Sequence, residues 1–169
     1  MHWEPARVVA LFALFAIPGL AQQTSAPATS DITCTFEDGQ QTRISYTPAT
    51  IDTKKELPRD KIWAPGNRPM NLFTDVALTL GGTVIPPGAY SIYILPSKDK
   101  WTLIVNKNVT AGHEYDASQD LTRAEMETGD LPDSQPFQLG FARMKQKQCS
   151  LRIYYGKTAS WAEYYEQQP

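Results

Sequence analysis

DVALTLGGTVIPPGAYSIYILPSKDKWTLIVNK, residues 75–107, is the stretch whose reading decides the fold. Three turn signals punctuate it. Gly81-Gly82 permits positive φ in a two-residue hairpin. Pro86-Pro87-Gly88 joins the fixed φ of proline to a glycine free to turn left-handed. Ser97-Lys98-Asp99-Lys100 is a polar turn. Between these signals the residues alternate. Val76, Leu78 and Leu80 share one face, Ala77 and Thr79 the other. Tyr90, Ile92 and Ile94 oppose Ser91, Tyr93 and Leu95, and Trp101, Leu103 and Val105 oppose Thr102, Ile104 and Asn106. Period two over such short runs is the strand signature. The second and third runs are apolar or aromatic on both faces, as in central strands covered on both sides. An antiparallel meander is the simplest connection, because turns this short cannot make parallel crossovers.

Working outward, residues 32–36 and 42–47 read as strands around Glu37-Asp38-Gly39-Gln40, which carries the Asp-Gly hairpin signal. Residues 48–70 are irregular. Pro48, Pro58, Pro65 and Pro69 forbid a long helix or central strand there. Trp63 stands alone in this segment, either contacting a ligand or packing with Ile62 onto an open end of the sheet as a cover. Downstream, a polar loop at 108–119 leads to a half-buried strand at 121–127, a turn region at 129–136 and a strand at 137–142. A last hairpin is expected from 149–155 and 158–165, turning at Gly156-Lys157. The pattern predicts a mainly β domain, an antiparallel β-sandwich or barrel-like fold of eight or nine strands with minimal helix.

Residues 1–21 read as a signal peptide: Arg7, an apolar run at 8–17 too short to span a bilayer, the break at Pro18-Gly19, and small residues before a cleavage point after Ala21. Residues 22–31 read as a flexible leader, too polar to order itself. Residues 32–169 read as a single β-domain. The chain is therefore expected to be exported, periplasmic or extracellular, with no integral membrane span after signal cleavage. A net charge of −2, with 16 basic and 18 acidic side chains and no long basic run, argues against nucleic acid. The two cysteines, Cys34 and Cys149, form one expected bridge in an oxidising compartment. The alternative is two buried thiols on separate strands.

Candidate chemistry is sparse. His113, Glu114, Tyr115 and Asp116, with Asp120 beyond them, form the one cluster of metal or acid–base ligand types. His113, Glu114 and Asp116 are the metal candidates. Trp63, His113 and Tyr115 are the ligand-binding candidates. The chain has no GxSxG nucleophile elbow. No cofactor motif is present. A carboxylate-dependent hydrolase needs only two acids at the right separation, and the loop at 113–120 is where it would sit. Eight tyrosines and four tryptophans allow a stacking platform, with Trp101, Trp161, Tyr155 and Tyr164 among its candidates, but strands favour aromatics in any case.

Several of these segments follow one another in a known pattern: Lys61-Ile62-Trp63, Gly81-Gly82, residues 85–93 (IPPGAYSIY), residues 101–107 (WTLIVNK), Glu114-Tyr115-Asp116, Asp120-Leu121, and residues 152–158 (RIYYGKT). In this order they resemble the bacterial family catalogued as domain of unknown function 2911, over residues 42–162. The resemblance implies an exported, mostly antiparallel β-domain, and it implies no activity, since none is assigned to the family. The chain departs from the pattern after the loop. Family members commonly carry Trp-Arg-Thr-Gly-Ala-Asn-Glu, where this sequence reads Trp63-Ala64-Pro65-Gly66-Asn67-Arg68-Pro69. A polar site built on that Arg and Glu would be altered here, and no catalytic residue is carried over. The expectation is a non-enzymatic exported protein that binds a small molecule, a glycan or an envelope protein. The carboxylate hydrolase is the alternative.

Overall fold

The structure, a computed structural model, describes residue 1 and residues 28–48 and 57–167. Apart from Met1, the signal segment expected at 1–21 lies outside the described residues. Nine strands form: β1 (Ser30–Thr35), β2 (Gln41–Tyr46), β3 (Met70–Thr74), β4 (Leu78–Leu80), β5 (Thr83–Ile85), β6 (Gly88–Leu95), β7 (Trp101–Asn106), β8 (Asp120–Lys145) and β9 (Gln148–Glu166). Their spatial order is β1-β2-β3-β6-β7-β8-β9-β4-β5, and every neighbouring pair is antiparallel. Two single turns of 3-10 helix, Pro65–Asn67 and Ala117–Gln119, are the only helical elements among the described residues. The mainly β sandwich or barrel-like architecture is therefore as the alternation indicated. β1 opens at Ser30, inside the stretch expected as leader.

The hairpin of β8 and β9 makes two layers from one sheet. The first part of β8 pairs with β7, ending at Trp101↔Met126. From Glu127 onward it pairs with β9. The ladder runs to Asp130↔Thr158, skips to Gln135↔Gly156 and resumes at Gln138↔Tyr154. Gly156 sits at that break with φ +57, a conformation that costs glycine little. There the hairpin folds over on itself. The ring of Phe141, late on β8, comes to lie 6.2 Å from that of Tyr164, late on β9. The amide of Glu166, at the end of β9, reaches the Lys147 carbonyl at 2.9 Å, just before β9 begins. The sequence reading placed a turn at 129–136 and a separate final hairpin at 149–165. Both are bends in continuous strands, because each arm is long enough to cross the sandwich and keep its partner around the corner.

The meander expected over residues 75–107 is also interrupted. β4 and β5 pair with each other, and β6 pairs with β7, but β5 and β6 are not neighbours. Pro86-Pro87 supplies no backbone N–H, so the chain leaves one sheet there and enters the other. Gly81 makes the β4–β5 turn with φ +56. A Cβ at Gly81 would stand 2.9 Å from that of Ala124, so this turn needs glycine for space as well as conformation.

Inward-facing residues of both layers fill the core. Ile44, Leu72, Ile92, Ile94, Leu103 and Val105 come from the first, and Leu78, Leu80, Leu151, Ile153 and Tyr164 from the second. Each such aliphatic side chain contributes about 2 kcal/mol on burial. The Tyr164 hydroxyl is buried without a partner, and that burial pushes its pKa upward. The open seam is held at one end. Cys34 on β1 is bonded to Cys149 on β9, with Cα atoms 6.4 Å apart. Beside the bridge, the Glu37 amide donates to the Gln146 carbonyl at 3.1 Å.

Candidate functional site

The outer face of the first sheet carries a row of polar side chains. Ser45 on β2 stands opposite Asn71 on β3, Asn71 opposite Ser91 on β6, and Ser91 opposite Asn106 on β7. The row extends to Asp31 on β1 and, across a bulge, to Asp120 on β8. These positions alternate with Ile44, Leu72, Ile92 and Val105, which point into the core. Period two thus puts an apolar row on one face and this row on the other.

A loop at 108–119 closes over part of that face, and hydrogen bonds fasten it. Ser91 Oγ donates to the Asn108 carbonyl at 2.7 Å. Asn106 Nδ2 donates to the Asp116 carbonyl and to Asp120 Oδ1, each at 2.8 Å, while its Oδ1 accepts from the Asn108 amide. Tyr115 donates to Asp120 Oδ2 at 2.6 Å, and Arg123 donates to both of them. Burial, followed by the bond to Asp120 and its charge, pushes the Tyr115 phenol up to about 12. Burial also raises Tyr93, with Asp120 adding to it. Asp120 is therefore held by three side chains from two directions, as a structural carboxylate is.

His113 lies at the edge of this cover. Its Nδ1 faces the Thr110 carbonyl, so Nδ1 carries the proton. Its Nε2 is left to accept from the Tyr93 hydroxyl at 2.8 Å. The rings of His113 and Tyr115 stand edge-on to Tyr93, at 6.3 and 5.0 Å. Glu114 is exposed. Asp116 caps the 3-10 turn by accepting from the Ser118 amide at 2.9 Å, and that bond lowers its pKa. The structure thus joins His113 and Tyr115 through Tyr93 and directs Asp116 elsewhere. Among the described residues no three His, Cys, Asp or Glu side chains stand where they could share a metal ion.

Trp63 is on the other side of the sheet. Its backbone pairs with Ile94 through bonds of 2.7 and 3.1 Å, extending β6 by one short partner. Its ring meets Trp101, Phe137 and Tyr155 edge-on at 6.2, 5.6 and 5.5 Å. Trp101, Tyr155 and Tyr164 belong to the buried core, so these candidates for a stacking platform are packed rather than displayed. Among the described residues Trp63 and His113 therefore line no common cavity. Ile94, which pairs with Trp63, and Tyr93, which bonds to His113, are consecutive residues of a strand and face opposite ways.

His113 does line a cavity, a cleft of about 550 Å³ on the outer face. Ser45, Asn71 and Ser91 contribute to its lining from the sheet, Arg68 from the segment before β3, and Val109 and His113 from the loop. Asn71 and Ser45 are half-buried, and their side chains have no hydrogen-bond partner among the described residues. Sequence reading missed both, together with Arg68. Their alternation was visible, but their assembly needs β2, β3 and β6 to be neighbours, and residues 47–69 separate the first two.

An antiparallel, sandwich or barrel-like β-domain with a polar cleft on one outer face is the class that fold and site define. The chain matches the family described as protein of unknown function (DUF2911) over residues 28–162, and it belongs to that family. No curated protein and no solved structure matches it.

Proposed function

We propose that this protein is a non-enzymatic binding module of the cell exterior, periplasmic or extracellular, and that the outer-face cleft holds a hydroxyl-rich ligand of the glycan type. The observation that carries this reading is the pair of half-buried, unpartnered polar side chains, Asn71 and Ser45, lining the cleft. A half-buried amide or hydroxyl without a partner favours a ligand that supplies one. A sugar presents hydroxyls that both donate and accept, which suits Asn, Ser, Arg and His together. The Cys34–Cys149 bridge supports an oxidising compartment. The engaged state of Asp120 and of both His113 ring nitrogens supports binding over acid–base chemistry, since each group already has its partners.

The test is a printed glycan panel, followed by calorimetric titration of any saccharide retained. Asn71→Ala is expected to weaken binding about tenfold, the scale of one lost hydrogen bond in a shielded site. The saccharide should be recovered intact by mass spectrometry. Cleavage of the saccharide, abolished by replacing Glu114 or Asp116, would instead establish the carboxylate hydrolase.

A further inference from the structure

We propose that a second cleft, at the bend of the β8–β9 hairpin, binds a small organic anion bearing phosphate or carboxylate groups. This cleft has a volume of about 430 Å³ and is separate from the outer-face cleft, with which it shares no lining residue. Three cations from three distant segments line it: Arg59 from the stretch before β3, Lys98 from the β6–β7 turn, and Lys157 from β9 just past Gly156. Asp130 is the one carboxylate among its lining residues. Setting Arg59 aside as already engaged, the two lysines still outnumber that carboxylate in a chain whose net charge is −2.

The backbone explains why the cations converge. Between the matched pairs Asp130↔Thr158 and Gln135↔Gly156, four residues of β8 face a single residue of β9, so the strands splay there. The Asp60 amide donates to the Pro96 carbonyl at 2.8 Å, which ties the segment carrying Arg59 to the turn carrying Lys98. Lys98 and Lys157 are exposed, and among the described residues neither is in an ion pair. By contrast Lys100, two residues from Lys98, is held by Glu125 at 2.6 Å outside the cleft. Lysine stems are long enough to bring two ammonium groups onto one anion, each as a point charge. The Thr158 hydroxyl can donate to an oxyanion, and the space a Cβ would take at Gly156 is open, so the anion can approach the backbone closely there.

The experiment is an amide-resolved NMR titration of the full chain with pyrophosphate and, separately, with citrate. Sodium chloride at matched ionic strength serves as the reference. Saturable shifts are expected at Gly129, Gly156 and Lys157. A response to pyrophosphate alone assigns phosphate, a response to citrate alone assigns carboxylate, and either supports the site. The double variant Lys98→Glu, Lys157→Glu alters only exposed side chains and is expected to weaken binding at least about tenfold, from charge repulsion at short range. Its circular dichroism should match the parent. Shifts no larger than those with chloride would overturn the proposal. So would binding that survives the double substitution but is lost in Arg68→Glu, which would place the anion in the outer-face cleft.

Discussion

Two segments cover the first sheet, one on each face, and they are built on different physics. The segment at 57–69 lays Trp63 against the core side, where its ring meets three other rings. The loop at 108–119 lies on the outer side, where hydrogen bonds through Asn106, Tyr115, Asp120 and Arg123 hold it. The first is non-directional and derives its stability from area removed from water. The second is directional and derives its stability from matched donors and acceptors. The first closes the core with Trp63 and lends flanking residues, Arg59 and Arg68 among them, to the two clefts, while the second shapes the outer face with its own polar groups.

That comparison can be broken in four ways. The largest effect is expected at the apolar cover: Trp63→Ala should destabilise the domain by about 3 kcal/mol, the scale of an aromatic truncation in packed surroundings. Urea unfolding measures it, and a loss under about 1 kcal/mol would show that the ring is not a cover. Asp120→Asn keeps the size of the side chain but weakens the bonds from Tyr115 and Arg123, with an expected loss of about 1–2 kcal/mol. The two covers share no partner, so the double variant should be additive within about 0.5 kcal/mol.

The third way is alkaline pH. The Tyr115 phenol is raised from 10.0 to about 12. A folded-state pKa raised above its unfolded value stabilises fully below the unfolded pKa and loses that contribution as pH rises through the folded one. Stability should therefore fall as pH climbs from near 10 toward 12, and Tyr115→Phe should flatten part of that fall. Melting temperature against pH reads it out. The smallest effect is expected at His113. His113→Ala removes an edge contact and two hydrogen bonds at the partly open rim, with a stability loss of about 0.5–1 kcal/mol. A larger loss would make the loop a single cooperative unit with its edge.

Local pattern carried the strands and not their neighbours. Alternation from Leu78 to Asn106 named the faces of β4, β6 and β7 correctly, because period two depends on adjacent residues. Gly81-Gly82 and Asp38-Gly39 named their turns for the same reason. The Pro86-Pro87 link read as a hairpin turn, yet it is a crossing between sheets, and nothing local distinguishes the two. Pro132 and Pro136 read as turn residues, yet they lie within β8 where its ladder with β9 is broken, a position that tolerates a missing N–H. The cleft was the least legible part. His113 was singled out for its side chain, whereas Asn71 and Ser45 matter only through register across strands that are not consecutive in the sequence. The bridge was legible because an even pair of cysteines has few options.

The span of that bridge also sets an order of events. Cys34 finds its partner 115 residues later, on the last strand. A chain delivered N-terminus first presents β1 through β8 before the second sulfur arrives. Throughout that interval Cys34 is a lone thiol, open to exchange with any disulfide it meets. Closure is thus a late act in the life of each molecule, and it certifies that nearly the whole domain has arrived. A product truncated at Lys145 would keep a reactive sulfur on its first strand, and a thiol-trapping reagent would mark it as unfinished.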